Sequence, residues 1–182
     1  MEDLSLHILD IAENSVEAQA KKIYIRLEEN RRQDRLTLEI ADDGQGMDKE
    51  FLTRALDPFV TTKKARRVGL GLPLLAEAAK AAGGTFVLRS RPGRGTKVRA
   101  MFQLSHIDLK PLGDIAQTLT TLIASHPEID IRYRHKAGGR TYTFATRAFR
   151  IKLGGIPINS PPIIRLIREN VEEGLDQLGR KS

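Results

Sequence analysis

With 182 residues, 40% of them hydrophobic and 29% charged, the chain has the size and balance of one compact globular domain with an appendage, long enough to bury a core. It holds no apolar run of membrane-spanning length, its acidic start Met1-Glu2-Asp3 is unlike a secretory or mitochondrial leader, and the absence of cysteine excludes disulfides, thiolate catalysis and cysteine zinc sites; a cytoplasmic protein without membrane attachment is expected. A net charge of +7 permits an anionic partner, yet 5% aromatics and no Trp leave no obvious base-stacking platform, which disfavours nucleic acid.

Residues 4–20 read as a helix, with Leu6, Leu9, Ala12, Val16 and Ala20 recurring at helical spacing. Asp10 and Asn14 lie four apart and share one face of it, either as a solvated edge or as part of a site. Residues 22–29 and 35–41 alternate apolar and polar side chains, as two strands across a charged turn. The second strand runs into Asp42-Asp43-Gly44-Gln45-Gly46-Met47. A carboxylate at a strand end followed by two glycines suits either an acidic turn or a slot for a flat ligand; the evenly spaced oxygens of a calcium loop are missing.

Residues 51–56 read as a short helix and 57–68 as a lid-like loop carrying Lys63, Lys64, Arg66 and Arg67. Val68-Gly69-Leu70-Gly71-Leu72-Pro73 then opens an apolar helix running to about Ala82. Its glycines let the backbone approach a ligand and its first-turn N–H groups form a phosphate seat; the alternative is a loop with two flexible glycines. Residues 85–90 and 97–104 alternate as two strands around the Pro92-Gly93 turn.

Five stretches in this order carry a resemblance. Leu9-Asp10-Ile11-Ala12-Glu13-Asn14-Ser15-Val16-Glu17-Ala18 resembles the N box of the GHKL ATPases, the superfamily of gyrase, Hsp90-type chaperones, sensor histidine kinases and MutL proteins. Asp42-Asp43-Gly44-Gln45-Gly46 is similar to their D-x-G-x-G box, and Asp57-Pro58-Phe59-Val60-Thr61-Thr62-Lys63 to the sensor-kinase F box. Gly69-Leu70-Gly71-Leu72 resembles the second glycine box, and Ser90-Arg91-Pro92-Gly93-Arg94-Gly95-Thr96 the closing S-x-P-G-x-G-T signature. The implied fold is α+β, a two-layer α/β sandwich of the GHKL (Bergerat) type over residues 1–104, with 105–182 as a small α/β extension packed on it.

The resemblance also implies cofactors and roles. ATP and Mg2+ would lie between sheet and helices. Asp42 would accept from the adenine amino group, Gly44 and Gly46 would leave room for the ring, Met47 would pack on it, and Thr96 would bond the same carboxylate or a water beside it. Asn14 would ligate magnesium through its amide oxygen. Thr62 and Lys63 of the F box, with Gly69, Leu70, Gly71 and Leu72, would complete the nucleotide contacts. Asp10 stands where the MutL and gyrase branches carry a glutamate that acts as general base. One methylene less shifts the carboxylate by about a bond length and slows hydrolysis, whereas sensor kinases need no such base; in the blandest reading Asp10 only orients Asn14.

Beyond Ser105 the expectations are a helix over 111–125, a hairpin of 129–135 and 141–145, a short helix capped by Thr146 and ending at Gly154-Gly155, and a last helix over about 162–178 with Ser160 as its cap. His106, His126 and His135 lack metal-ligand spacing. With no phosphoacceptor-histidine helix pair ahead of the N box and too short a tail for a transducer domain, the expected protein is a stand-alone ATP module like the anti-sigma-factor kinases. Two functions fit it. One is a histidine-kinase-like protein kinase or slow ATPase acting on a separate protein partner or phosphoacceptor; the other is an ATP-dependent binding switch with incidental turnover.

Overall fold

The structure, a computed structural model, describes residues 3–56 and 71–179. Its elements are α1 (Leu4–Glu17), β1 (Lys22–Asn30), β2 (Arg35–Asp42), α2 (Lys49–Arg54), α3 (Gly71–Ala81), β3 (Thr85–Ser90), β4 (Thr96–Gln103), α4 (Ile115–Ser125), β5 (Asp130–Ala137), β6 (Arg140–Ala145), α5 (Thr146–Leu153) and α6 (Pro161–Asp176). The strands form one mixed sheet in the order β3-β4-β2-β1-β5-β6. Only the β1–β5 pair is parallel, because the crossover from β1 to β5 runs through the rest of the domain and α4, long enough to bring the chain back in the same direction.

Strand alternation sets the two faces. Ile23, Ile25 and Leu27, Leu36, Leu38 and Ile40, Val98, Ala100 and Phe102, and Ile131 and Tyr133 are all buried. They form one core with Leu4, Ile8 and Ile11 of α1, Leu75 and Ala79 of α3, and Leu119 and Leu122 of α4. Each such side chain contributes roughly 1.5–3 kcal/mol on leaving water. The opposite residues of the same strands, among them Tyr24, Arg26, Arg99, Arg132 and Arg134, stay exposed. This is the expected two-layer α+β arrangement. None of the described helices is long and apolar enough to cross a membrane.

Several features differ from the sequence expectation. α1 stops at Glu17 because Gln19 takes a positive φ of 61°. α4 begins at Ile115, not Pro111: Asp114 caps it by accepting from the Gln117 N–H at 2.7 Å, and Pro111 and Leu112 instead offer their carbonyls to the N–H groups of Leu4 and Ser5 at 2.9 and 2.8 Å. The β5–β6 hairpin turns on Gly138 and Gly139 alone, with φ of 56° and 78°, so both strands are longer than expected. Thr146 is not a cap. It is the fully buried first residue of α5, whose hydroxyl accepts from the Ile131 N–H at 3.0 Å. Ser160 does sit at the N-cap of α6, but its hydroxyl turns back to the Pro157 carbonyl.

Candidate functional site

α1, the β2 end and the start of β4 enclose a cavity of about 450 Å³. Its apolar walls include Ile11, Ile40, Val98, Met47, Phe51 and Leu72, and its polar lining includes Asn14, Ser15, Asp42 and Thr96, with Glu17, Gln45 and Asp48 also lining it. Such a mixture, many apolar walls with a few convergent polar groups, is what a bound small molecule requires.

Asp42 is the organising carboxylate. One oxygen accepts from the backbone N–H groups of Gly44 at 2.9 Å and Thr96 at 3.2 Å, and the other accepts from the Ser15 hydroxyl at 2.8 Å. The loop that follows is clamped by its own backbone: the Gln45 N–H donates to the Ala18 carbonyl at 2.8 Å, and the Gln45 carbonyl accepts from the Gly93 N–H at 2.7 Å. Small residues are obligatory here. A Cβ on Gly44 would lie 2.7 Å from the Ala18 carbonyl oxygen, and on Gly46, at a φ of 69°, it would collide with the Arg91 backbone. Gly95, also at positive φ, leaves the same kind of room for the Asp42 backbone.

On α1, Asp10 and Asn14 face the N-terminal end of α3. A Cβ added to Gly71 would strike the Asp10 carboxylate and come within 3.4 Å of the Asn14 amide nitrogen. The N-terminal end of α3 therefore meets the side chains of Asp10 and Asn14 at backbone range. Gly71 is buried and Leu72 lines the cavity. The expectations for Thr62, Lys63, Gly69, Leu70, the rest of the F box and the lid lie outside the described residues.

Thr96 meets Asp42 through its backbone N–H, while its hydroxyl lies 2.9 Å from that of Ser90. Ser15 and Ser90 were not anticipated as site residues. The Ser90 hydroxyl accepts from the Met47 N–H at 2.8 Å and so ties the glycine loop to β3. Asp43 accepts from the N–H groups of Lys21 and Lys22, both at 2.8 Å, and so points away from the cavity. Among the described residues no group of His, Asp and Glu is arranged to hold a metal by itself. His135 is buried between Glu29 and Tyr133, at 2.8 and 3.0 Å. His126 contacts Glu13 at 3.1 Å. His7 is 2% exposed with its Nδ1 unpartnered, and burial pushes its pKa down to about 4.

A family model described as "Histidine kinase-, DNA gyrase B-, and HSP90-like ATPase" matches residues 2–106. The sensor protein kinase FleS of Pseudomonas aeruginosa is 37% identical over 110 residues, 60% of this chain and 27% of that protein. The sensor histidine kinase YxdK of Bacillus subtilis is 36% identical over 74 residues, 38% of this chain and 23% of that protein. The chain thus spans about a quarter of the length of these sensor kinases. A crystal structure titled as the N-terminal domain of a DNA repair protein aligns at a TM-score of 0.49 and 15% identity, over 79% of this chain and 52% of that one.

Proposed function

Because the chain belongs to the histidine kinase-, DNA gyrase B- and HSP90-like ATPase family through residues 2–106, we propose that it is a Mg-ATP-dependent regulatory kinase of the histidine-kinase type, or a slow ATPase, serving a separate protein partner. The observation that carries this reading is Asp42, a carboxylate held by three donors at the edge of an apolar-walled cavity. A purine's flat ring fits between Met47, Ile40 and Val98, and its exocyclic amine is the donor a carboxylate there selects.

The residues present fit the nucleotide. Gly44, Gly46 and Gly71 let the cavity's own walls close up, since a Cβ at each would collide with Ala18, Arg91 or Asp10 respectively. Asn14 supplies an amide oxygen suited to magnesium, the hard cation that takes its remaining ligands from phosphates and water. Bound Mg-ATP supplies the transferable γ-phosphoryl group with its charge partly neutralised. In this reading Asp42 fixes the base, α3 presents its first-turn N–H groups, and Asp10 serves as general base on water in the ATPase case or orients Asn14. The extension 105–182 belongs to the same reading as a packed companion of the ATP module.

One feature favours a second reading, an ATP-driven conformational switch with negligible turnover: Asp10 is a methylene shorter than the glutamate of the hydrolytic branches. Incubation with γ-labelled ATP and cell extract separates the cases. A labelled protein band supports the kinase, free phosphate alone an ATPase, and ATP binding with neither the switch; no Mg-ATP binding in calorimetry overturns all three.

A further inference from the structure

The sheet face opposite the helices is strongly cationic. The strand registers align three rows across all six strands: Val87, Arg99, Glu39, Arg26, Arg134 and Thr143; Thr85, Met101, Thr37, Glu28, Lys136 and Thr141; Arg89, Lys97, Ala41, Tyr24, Arg132 and Ala145. None of these residues is buried. The rows hold seven cations and two carboxylates, a surplus of five on one face of a chain whose net charge is +7. Each carboxylate sits between two cations: Glu39 lies 3.0 Å from Lys97 and 3.6 Å from Arg99, and Glu28 lies 2.5 Å from Arg26 and 3.2 Å from Lys136. Arg89 and Arg134 are left without a carboxylate partner among the described residues, and Arg132 lies over the Tyr24 ring at 5.5 Å.

Concentrating like charge on one flat face works against self-association and against folding, so an opposite charge that docks there relieves both. We propose that this open face is the docking surface for an acidic protein, one presenting carboxylates to Arg134, Arg99, Arg132 and Arg89. A second copy of the chain is disfavoured by repulsion between identical cationic faces. Single-stranded nucleic acid fits less well: it needs successive aromatic platforms, and the rows offer only Tyr24, already covered by Arg132, with Glu28 and Glu39 lying centrally where a phosphate chain would run. A carboxylate-bearing protein surface meets the guanidinium forks in bidentate geometry and can set its own cations against the two glutamates. The face lies behind the nucleotide cavity on the same strands: Glu39 precedes cavity-lining Ile40, and Lys97 lies between Thr96 and Val98. It does not depend on nucleotide for its charge, so it stands apart from the ATP reading.

The test is fluorescence anisotropy with a labelled oligoglutamate peptide and, in parallel, an oligodeoxythymidine of equal charge. The peptide should bind the full chain and weaken with added salt. Arg99→Ala with Arg134→Ala should weaken it about tenfold, whereas Arg31→Ala with Arg32→Ala, an equal charge change on the exposed turn outside the face, should leave it within about twofold of wild type. Glu39→Gln should tighten it. Mg-ATP affinity, measured on the same variants, should not move, which keeps a failure here distinct from a failure of the nucleotide site. The proposal is overturned if the peptide does not bind, if both double variants lose equally, or if the oligodeoxythymidine binds more tightly than the peptide through the same residues.

Discussion

Replacing Asp42 with Asn tests the nucleotide site at its centre. One carboxylate oxygen accepts from two backbone N–H groups, of Gly44 and Thr96, and the other from the Ser15 hydroxyl. In the variant the amide oxygen must stay where the two N–H groups point, which puts the amide NH2 at the second position. Ser15 can accept from that NH2 and keep its own proton on the Ile11 carbonyl, 3.2 Å away. The fold therefore loses about 1 kcal/mol or less, a melting shift of about 2–4 °C for a chain of this size. The ligand loses far more. A hydrogen bond to a charged acceptor is worth about 1.5–3 kcal/mol, and here it is replaced by one donor facing another, so Mg-ATP affinity should fall by about 100-fold or more at 1.4 kcal/mol per tenfold. Titration calorimetry reads the affinity and scanning calorimetry without nucleotide reads the fold. An Asn variant that melts like wild type and binds ATP within threefold of it would refute the assignment of Asp42 to the base.

Asn14→Ala should weaken nucleotide binding in magnesium more than in EDTA, because only the metal ligand is lost; equal losses would make the amide structural. Asp10→Asn should slow basal hydrolysis and Asp10→Glu should raise it, with affinity for a non-hydrolysable analogue unchanged, as general-base help is worth about two to four orders of magnitude; an Asn variant as fast as wild type in single turnover removes the base from the mechanism. Gly71→Ala should cost at least tenfold in ATP affinity by driving its Cβ into the Asp10 carboxylate, and adding Asp10→Ala should restore most of it; no rescue would place the damage elsewhere. His7 has a folded pKa of about 4 against 6.5 for the free group, so the unfolded chain binds the extra proton and stability falls as pH drops from about 6.5 to about 4, by up to about 3 kcal/mol. Chemical denaturation across that window should show the slope in wild type and lose it in His7→Leu.

Where each element obeys a local rule, the sequence was sufficient. Alternation placed β1 to β4, and helical spacing placed α1 and α3. What depended on distant packing was hidden. Ser15 follows Asn14 and looks like an ordinary helical serine until β2 delivers Asp42 to its hydroxyl, 27 positions away. Ser90 is legible as a motif residue, but its bond to the Met47 N–H requires the loop after β2 to cross β3. The alternation of β5 puts His135 on the core face, yet its partner Glu29 comes from β1 through a parallel register that no local signal encodes. Thr146 shows the same limit: a threonine before an apolar helix reads as a cap, and only the neighbouring β5 backbone makes it a buried anchor.

That parallel register also says why residues beyond 105 bear on the site. β1 has β2 on one edge and β5 on the other, so the extension completes the sheet that carries Asp42. It holds α1 as well. Pro111 and Leu112 take the N–H groups of Leu4 and Ser5, the Thr118 hydroxyl donates to the Ser5 carbonyl at 3.2 Å, and His126 at the far end of α4 meets Glu13, the neighbour of Asn14. α1 is thereby held by the extension at Leu4, Ser5 and Glu13, with Asp10 between these contacts and Asn14 directly after the last, both facing α3. The residues beyond 105 therefore reach the helix that carries Asp10 and Asn14 through direct contacts, the Thr118 hydroxyl on the Ser5 carbonyl and His126 on Glu13.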